Sequence, residues 1–136
     1  MSPAHNGLNA YRQTQVQSRT PLELVVMLYD GALKSMTAAC DAIDRGDIPA
    51  RRDALSRTLA IVSELQSTLN LEAGGPIAAS LDELYGYANR RLLDAAMNND
   101  PKPILEIRRI METLREAWQT IATPASSPAQ ATGTRG

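Results

Sequence analysis

Ile104, Ile107, Met111, Leu114, Trp118 and Ile121 recur at alternating intervals of three and four residues. That alternation is the apolar seam of a helix packed along its length against other helices. Three earlier segments carry the same period. The first runs through Leu22, Val25, Tyr29, Leu33 with Ala32, Met36, Cys40 and Ile43. The second has Leu55, Leu59, Val62, Leu65 and Leu69, and the third has Ile77, Leu81, Leu84, Tyr85, Ala88, Leu92 and Ala95. No segment alternates with period two, so no sheet is expected.

The punctuation between these segments has a physical reading. Thr20 suits an N-cap, Pro21 the first helical position, and Glu23 completes a capping box with Thr20. Arg45 and Gly46 suit the last turn and the left-handed cap that ends the first helix. Asp47 is the expected N-cap of the second helix, which stops before Gly74-Gly75, with Pro76 opening the third. Asn98-Asn99-Asp100-Pro101 ends the third helix, and Asp100 caps the fourth. Thr123-Pro124 stops the last one. Helices of roughly 20 to 25 residues are about 30 to 38 Å long. Short connections make sequential neighbours antiparallel. The expectation is an all-α, antiparallel, up-down four-helix bundle over residues 20–122. A short arm or helix over residues 1–19 precedes it, and a small, polar, disordered tail over 123–136 follows.

Composition narrows the function classes. Phenylalanine is absent, so the core rests on Leu, Ile, Val, Met and Ala. The net charge of −1 leaves no electrostatic footprint for nucleic acid. The pairs Arg51-Arg52, Arg90-Arg91 and Arg108-Arg109 read as solvated helix faces. Cys40 is the only cysteine, in line with apolar positions, and reads as a small filler in a reducing compartment. No apolar run approaches the ~20 residues that span a bilayer, and the first ten residues lack a signal-peptide core. A cytoplasmic protein without membrane insertion is expected. The only histidine, His5, lies in the polar start, which leaves no inward Glu-x-x-His pairs for a di-metal bundle and no helix-borne phosphotransfer histidine. Scattered acids and an isolated glycine pair supply neither a carboxylate dyad nor a phosphate loop. No cofactor and no enzymatic chemistry are expected.

What remains is apolarity off the seams. A bundle helix buries one stripe. Here Leu24, Met27, Leu28 and Gly31 lie on consecutive turns of the first helix, away from its main seam. Ile61 does so in the second helix, Tyr87, Leu93 and Met97 in the third, and Leu105 and Ile110 in the fourth. Long apolar grooves edged by polar residues are places where a partner helix docks. Gly31 costs about 1 kcal/mol against Ala in a helix interior and reads either as tight interhelical packing or as a groove floor. Met27 and Met97 suit an adaptable surface, or fill gaps in a core. Leu8, Tyr11 and Val16 are spaced as if the arm could dock.

The stretch Asn9-Ala10-Tyr11 through Val16, Thr20-Pro21 and Leu24 to Met27-Leu28-Tyr29-Asp30-Gly31-Ala32 resembles the flagellin-specific export chaperones, the FliS family. Gly74-Gly75, Leu84-Tyr85-Gly86-Tyr87, Arg91-Leu92 followed by Asn98-Asn99-Asp100, and Leu114-Arg115-Glu116-Ala117-Trp118 resemble later blocks of the same family. Ser18-Arg19 departs from it, since smaller residues are usual there. The resemblance implies a cytoplasmic four-helix bundle that binds the disordered C-terminal segment of flagellin, prevents its premature polymerisation and helps present it to a component of the flagellar export gate. It also implies that the arm with Leu8 and Tyr11 lies at or near the client groove. Leu8, Tyr11, Val16, Leu24, Met27, Leu28, Gly31, Ile61, Tyr87, Leu93 and Met97 are the expected partner-binding residues. The alternative is a homodimeric bundle, an interaction or adaptor protein that pairs through the same faces and has no disordered client.

Overall fold

The computed structural model describes residues 19–123. They form four α-helices: α1, Pro21–Arg45; α2, Ile48–Ser67; α3, Leu71–Asn98; and α4, Lys102–Ala122. Among the described residues there is no strand, and the fold is an all-α four-helix bundle. Leu8, Tyr11, Val16 and the tail expected after Thr123 lie outside the described residues.

Local chemistry starts and stops these helices. The Glu23 N–H donates to Thr20 Oγ1 at 3.1 Å, and the Thr20 N–H donates to Glu23 Oε1 at 2.9 Å, which is a reciprocal capping box. Asp47 caps α2 by accepting from the Ala50 N–H at 3.1 Å. Gly46, with φ +70°, makes the left-handed turn between α1 and α2. Asn99 does the same after α3 at φ 52°, a conformation that asparagine tolerates better than most side chains. Asp100 accepts from the Lys102 N–H at 3.0 Å as α4 begins.

The second connection differs from the expected one. α2 ends at Ser67, earlier than expected; Asn70 caps a short first turn from Leu71, and beyond the break at Gly75 the helix resumes at Pro76, where the third helix was expected to open. The glycine pair therefore lies inside α3, where Gly75 breaks the regular backbone at φ 56°, ψ −139°. Asn70 accepts the Ala73 N–H and supplies a local start for this first turn. A Cβ at Gly74 would stand only 2.5 Å from the Ala78 Cβ, so the break needs glycine on both counts.

Packing divides the chain into two compact units, Leu28–Arg115 and the end segments outside it. In the end segments, Val26 is buried, Trp118 is half-buried and Ile121 is exposed. Within Leu28–Arg115, side-chain pairs fix the helix directions. Gly31 faces Ile61 and Ser35 bonds Thr58, so α1 and α2 run antiparallel. Gln66 bonds Asp82, Ser63 bonds Asn89, and Arg51 bonds Asn99, which makes α2 and α3 antiparallel as well. α4 is tied to α1 by Arg115 and Asp30, and to α3 by Arg91 and Glu106.

The core of this unit is narrow along α1. Its buried positions are Tyr29, Ala32, Ser35, Met36, Ala39 and Ala42, while Leu33, Cys40 and Ile43 flank the seam half-buried. Of the stripe read from the sequence, Tyr29, Ala32 and Met36 lie in the centre of the buried face and Leu33, Cys40 and Ile43 form its shoulder, while the short side chains of Ser35, Ala39 and Ala42 complete the centre. Small residues there let helix backbones approach closely, and the larger aliphatics fill the sides. In α3, Ala78, Tyr85, Ala88, Leu92 and Ala95 are buried, whereas Ile77 is 73% exposed.

Candidate functional site

None of the described off-seam candidates is buried. Leu24, Leu28, Gly31, Ile61 and Tyr87 are half-buried. Met27 is 36% exposed, Leu93 49% and Met97 82%. Ile48, at 51%, and Leu105, at 44%, add to this exposed apolar set.

Within Leu28–Arg115, three different places hold the candidates Leu28, Gly31, Ile61, Tyr87, Leu93 and Met97. Leu28 and Gly31 lie one turn apart on α1, and a Cβ on Gly31 would sit 3.3 Å from the Ile61 Cδ1. Gly31 is therefore a close-packing position between α1 and α2, with Leu28 and Ile61 half-buried along that seam. On α3, Asn89 faces α2 through Ser63, and Ala96 lines a cleft shared with α2. Leu93 falls between them at helical spacing and Met97 follows one turn later, so both lie on the α2 side of α3. Tyr87 belongs to the α4 side, where its hydroxyl donates to Glu106.

Several residues that carry the motif blocks turn out to tie helices together. The Tyr29 and Tyr85 hydroxyls share a hydrogen bond of 2.6 Å in the core, joining α1 to α3. Burial, and then the bond to Tyr29, push the Tyr85 phenol far above its ordinary pKa, so it stays neutral. Asp30 accepts from Arg115 Nε at 2.7 Å. Glu106 accepts from Tyr87 and, at 2.8 Å, from Arg91 Nε, while Arg91 also reaches Asp94 at 3.2 Å. The Tyr87 hydroxyl first, and the Arg91 guanidinium second, hold the Glu106 carboxyl below the usual carboxylate range. Tyr87 thus has a structural partner in addition to its surface position.

Two open clefts run over α3. One, of about 690 Å³, is lined by polar and charged groups that include Gln66, Ser80, Asp82, Glu83 and Arg90, with Tyr87 at its side. The other, of about 310 Å³, is lined by Arg51, Arg52, Leu55, Ser56, Leu59 and Ala96. Sequence reasoning missed this second cleft. Leu55 and Leu59 read as seam residues, and the arginine pair read as solvated surface. A usable signal was present: Arg52 has Ile48, Pro49, Leu55 and Ser56 at three and four residues on either side, and no acid among them.

The site offers contact surface rather than reactive groups. Burial raises the pKa of the half-buried Cys40 thiol, with Arg108 partly opposing and Asp44 and Asp41 adding to it. Among the described residues, no three His, Cys, Asp or Glu side chains gather as metal ligands would. No described helix is long and apolar enough to cross a membrane.

Compared with profiles of known families, the chain matches the family described as Flagellar protein FliS over residues 4–125. Among curated proteins, it is 38% identical over 126 residues to the flagellar secretion chaperone FliS of Salmonella typhimurium, covering 89% of this chain and 93% of the relative. The Bacillus subtilis protein of the same name is 35% identical over 114 residues, 84% of each chain. That of Campylobacter jejuni is 37% identical over 113 residues, covering 83% of this chain and 88% of the relative.

Proposed function

The chain belongs to the FliS family of flagellar secretion chaperones, and on that premise we propose that its client is the C-terminal segment of flagellin. In this reading it holds that segment in the cytoplasm, keeps it from polymerising and hands it to the export gate. The observation that carries the reading is the set of half-buried and exposed aliphatic side chains left outside the core: Leu28 and Ile61 on one side, Leu93 and Met97 on another. A client that wraps the bundle meets both. Leu24 and Met27, and the arm residues Leu8, Tyr11 and Val16, are further proposed client contacts in the end segments.

A disordered segment that folds on binding pays about 2–5 kcal/mol or more in ordering, set against a large buried surface. The contact is broad and yet releasable, which is what delivery requires. Half-buried aliphatics suit this use. They are already partly desolvated and fixed by the scaffold, so less freedom is lost when a client covers them.

Mixing the purified chain with a flagellin C-terminal peptide tests the proposal. The expected result is a one-to-one complex by light scattering, with helicity rising above the sum of the parts. Leu93→Asp and Met97→Asp, both at exposed positions, weaken the complex without lowering the melting temperature of the chaperone. No complex at micromolar concentration, or a tight homodimer that excludes the peptide, overturns it.

A further inference from the structure

Most of the described glycines are explained by the fold around them. Gly46 and Gly75 have positive φ, while a Cβ at Gly74 would stand 2.5 Å from Ala78 and one at Gly31 3.3 Å from Ile61. Gly86 has neither reason. It lies in mid-α3, and a Cβ there would meet nothing nearer than the flexible Arg90 guanidinium, 3.5 Å away. Glycine in a helix interior costs about 1 kcal/mol against alanine, and no described neighbour requires it.

Gly86 belongs to a second seam on α3. Ala79, Glu83, Gly86, Arg90, Leu93 and Met97 follow one another at intervals of four and three, the spacing of a helix packed along its length against another. The buried seam through Ala78, Tyr85 and Leu92 lies one residue behind. In the second seam Gly86 is half-buried and the other five are exposed. The open cleft of about 690 Å³ crosses its centre, with Glu83, Gly86 and Arg90 in the lining. Glu83 and Arg90 form no ion pair among the described residues.

The order along this stripe is self-complementary. Small side chains, Pro76 and Ala79, stand at its N-terminal part, and the large aliphatics Leu93 and Met97 at its C-terminal part. Glu83 precedes Gly86 by one turn, and Arg90 follows it by one turn. A copy turned end for end about Gly86 and Tyr87 sets Arg90 against Glu83 and Glu83 against Arg90. It also sets Leu93 beside Ala79 and Met97 beside Pro76, with the two glycines at the crossing. Neither charge alone names a partner. What names it is that charge and size both reverse about one glycine, which is the pattern of a surface that meets itself across a two-fold axis.

We propose that α3 pairs antiparallel with α3 of a second copy of this chain, with Gly86 at the axis. Glycine at the crossing lets the two backbones approach closely. One helix pair is a small interface with a polar centre, so the association is weak and readily undone. The pairing stands apart from the client reading, and its consequence rests on that reading: the dimer covers Leu93 and Met97 while the chaperone is empty and yields them to the client.

Sedimentation equilibrium of the full chain without client tests the pairing. The parent shows a concentration-dependent dimer. Glu83→Arg and Arg90→Glu each turn two attractive contacts into repulsive ones and weaken the dimer about tenfold. Mixing these two variants restores association, because every contact between them is again of opposite charge, and so does the double exchange within one chain. Gly86→Leu abolishes the dimer while keeping the parent's helicity and its melting temperature in dilute solution. A parent that is monomeric up to millimolar concentration, or a dimer that neither reversal weakens, overturns the proposal. Adding a flagellin C-terminal peptide then converts dimer into a one-to-one complex. A peptide that binds and leaves the dimer intact overturns the covering of Leu93 and Met97, whereas one that binds neither form overturns the client reading and leaves the pairing standing.

Discussion

The Ser35–Thr58 contact between α1 and α2 makes a sharp prediction about the interior. Both side chains are buried, and their oxygens lie 2.5 Å apart. The protons can be placed from the acceptors around them. Thr58 Oγ1 donates to the Ala54 carbonyl at 2.9 Å, so it accepts from Ser35. Ser35 has a second acceptor in reach, the Ala32 carbonyl at 3.1 Å. Thr58→Val keeps the shape and removes the acceptor, and the Ser35 proton turns to Ala32. Ser35→Ala removes the donor, and Thr58 keeps its bond to Ala54. Neither variant strands a buried donor. Each loses the interhelical hydrogen bond, worth about 1 kcal/mol, rather than the larger penalty of an orphaned group, and Thr58→Val also gives up the bond to the Ala54 carbonyl. Because both delete the same interhelical bond, the double variant costs about as much as Thr58→Val alone, a coupling of about 1 kcal/mol. Urea unfolding of the four proteins, followed by far-ultraviolet dichroism, measures this directly. Additive losses within about 0.3 kcal/mol, or a Thr58→Val loss above about 2 kcal/mol, would refute the proton assignment.

Gly31→Ala stays within about 1 kcal/mol of the parent, because the gain in helix propensity offsets a small shift of the Ile61 methyl, whereas Gly31→Leu forces α1 and α2 apart and lowers the melting temperature. Glu106 titrates lower in the fold than in the open chain, so its contribution is present above the ordinary carboxylate pKa of about 4.3 and is lost as pH falls through the folded value. Acid-unfolding curves of the parent and Glu106→Gln therefore converge as the pH falls past that ordinary value and through the lower folded one, and curves that stay parallel contradict the Tyr87–Arg91 anchoring. Cys40, with its thiol pKa raised by burial, reacts with iodoacetamide more slowly than a solvated model thiol at neutral pH and gains speed on addition of urea; a fast native reaction refutes this.

Much of this fold was written in local chemistry. The Thr20–Glu23 box, the Asp47 cap and the Gly46 turn were readable because each depends on residues a few positions apart. The phase of α1 was harder. A periodicity count weighs Leu33 and Cys40 above Ala32 and Ala39, yet the alanines lie at the centre of the buried face. Hydrophobicity ranks residues by size, whereas close helix approach selects for the lack of it. The helix restart at Pro76 after Gly75 was legible, but the short helical turn before it was not, since the Asn70 cap that starts that turn looks like loop sequence. The described off-seam apolar residues are half-buried or exposed. Their division between the α1–α2 seam and the α2–α3 face depends on which helices neighbour one another, and no spacing within a single helix encodes that. The Arg51–Asn99 bond spans 48 residues and was illegible for the same reason.

The line of alanines through α1 couples two histories that usually run apart. In a thick-cored protein, the interior can drift among leucine, isoleucine and methionine while the outside is selected independently. At Ala32, Ala39 or Ala42 there is no such slack, and one added methylene would spread neighbouring rods and widen the channels on the outside at the same stroke. On the proposed client reading, such a substitution would change which peptides fit without touching one.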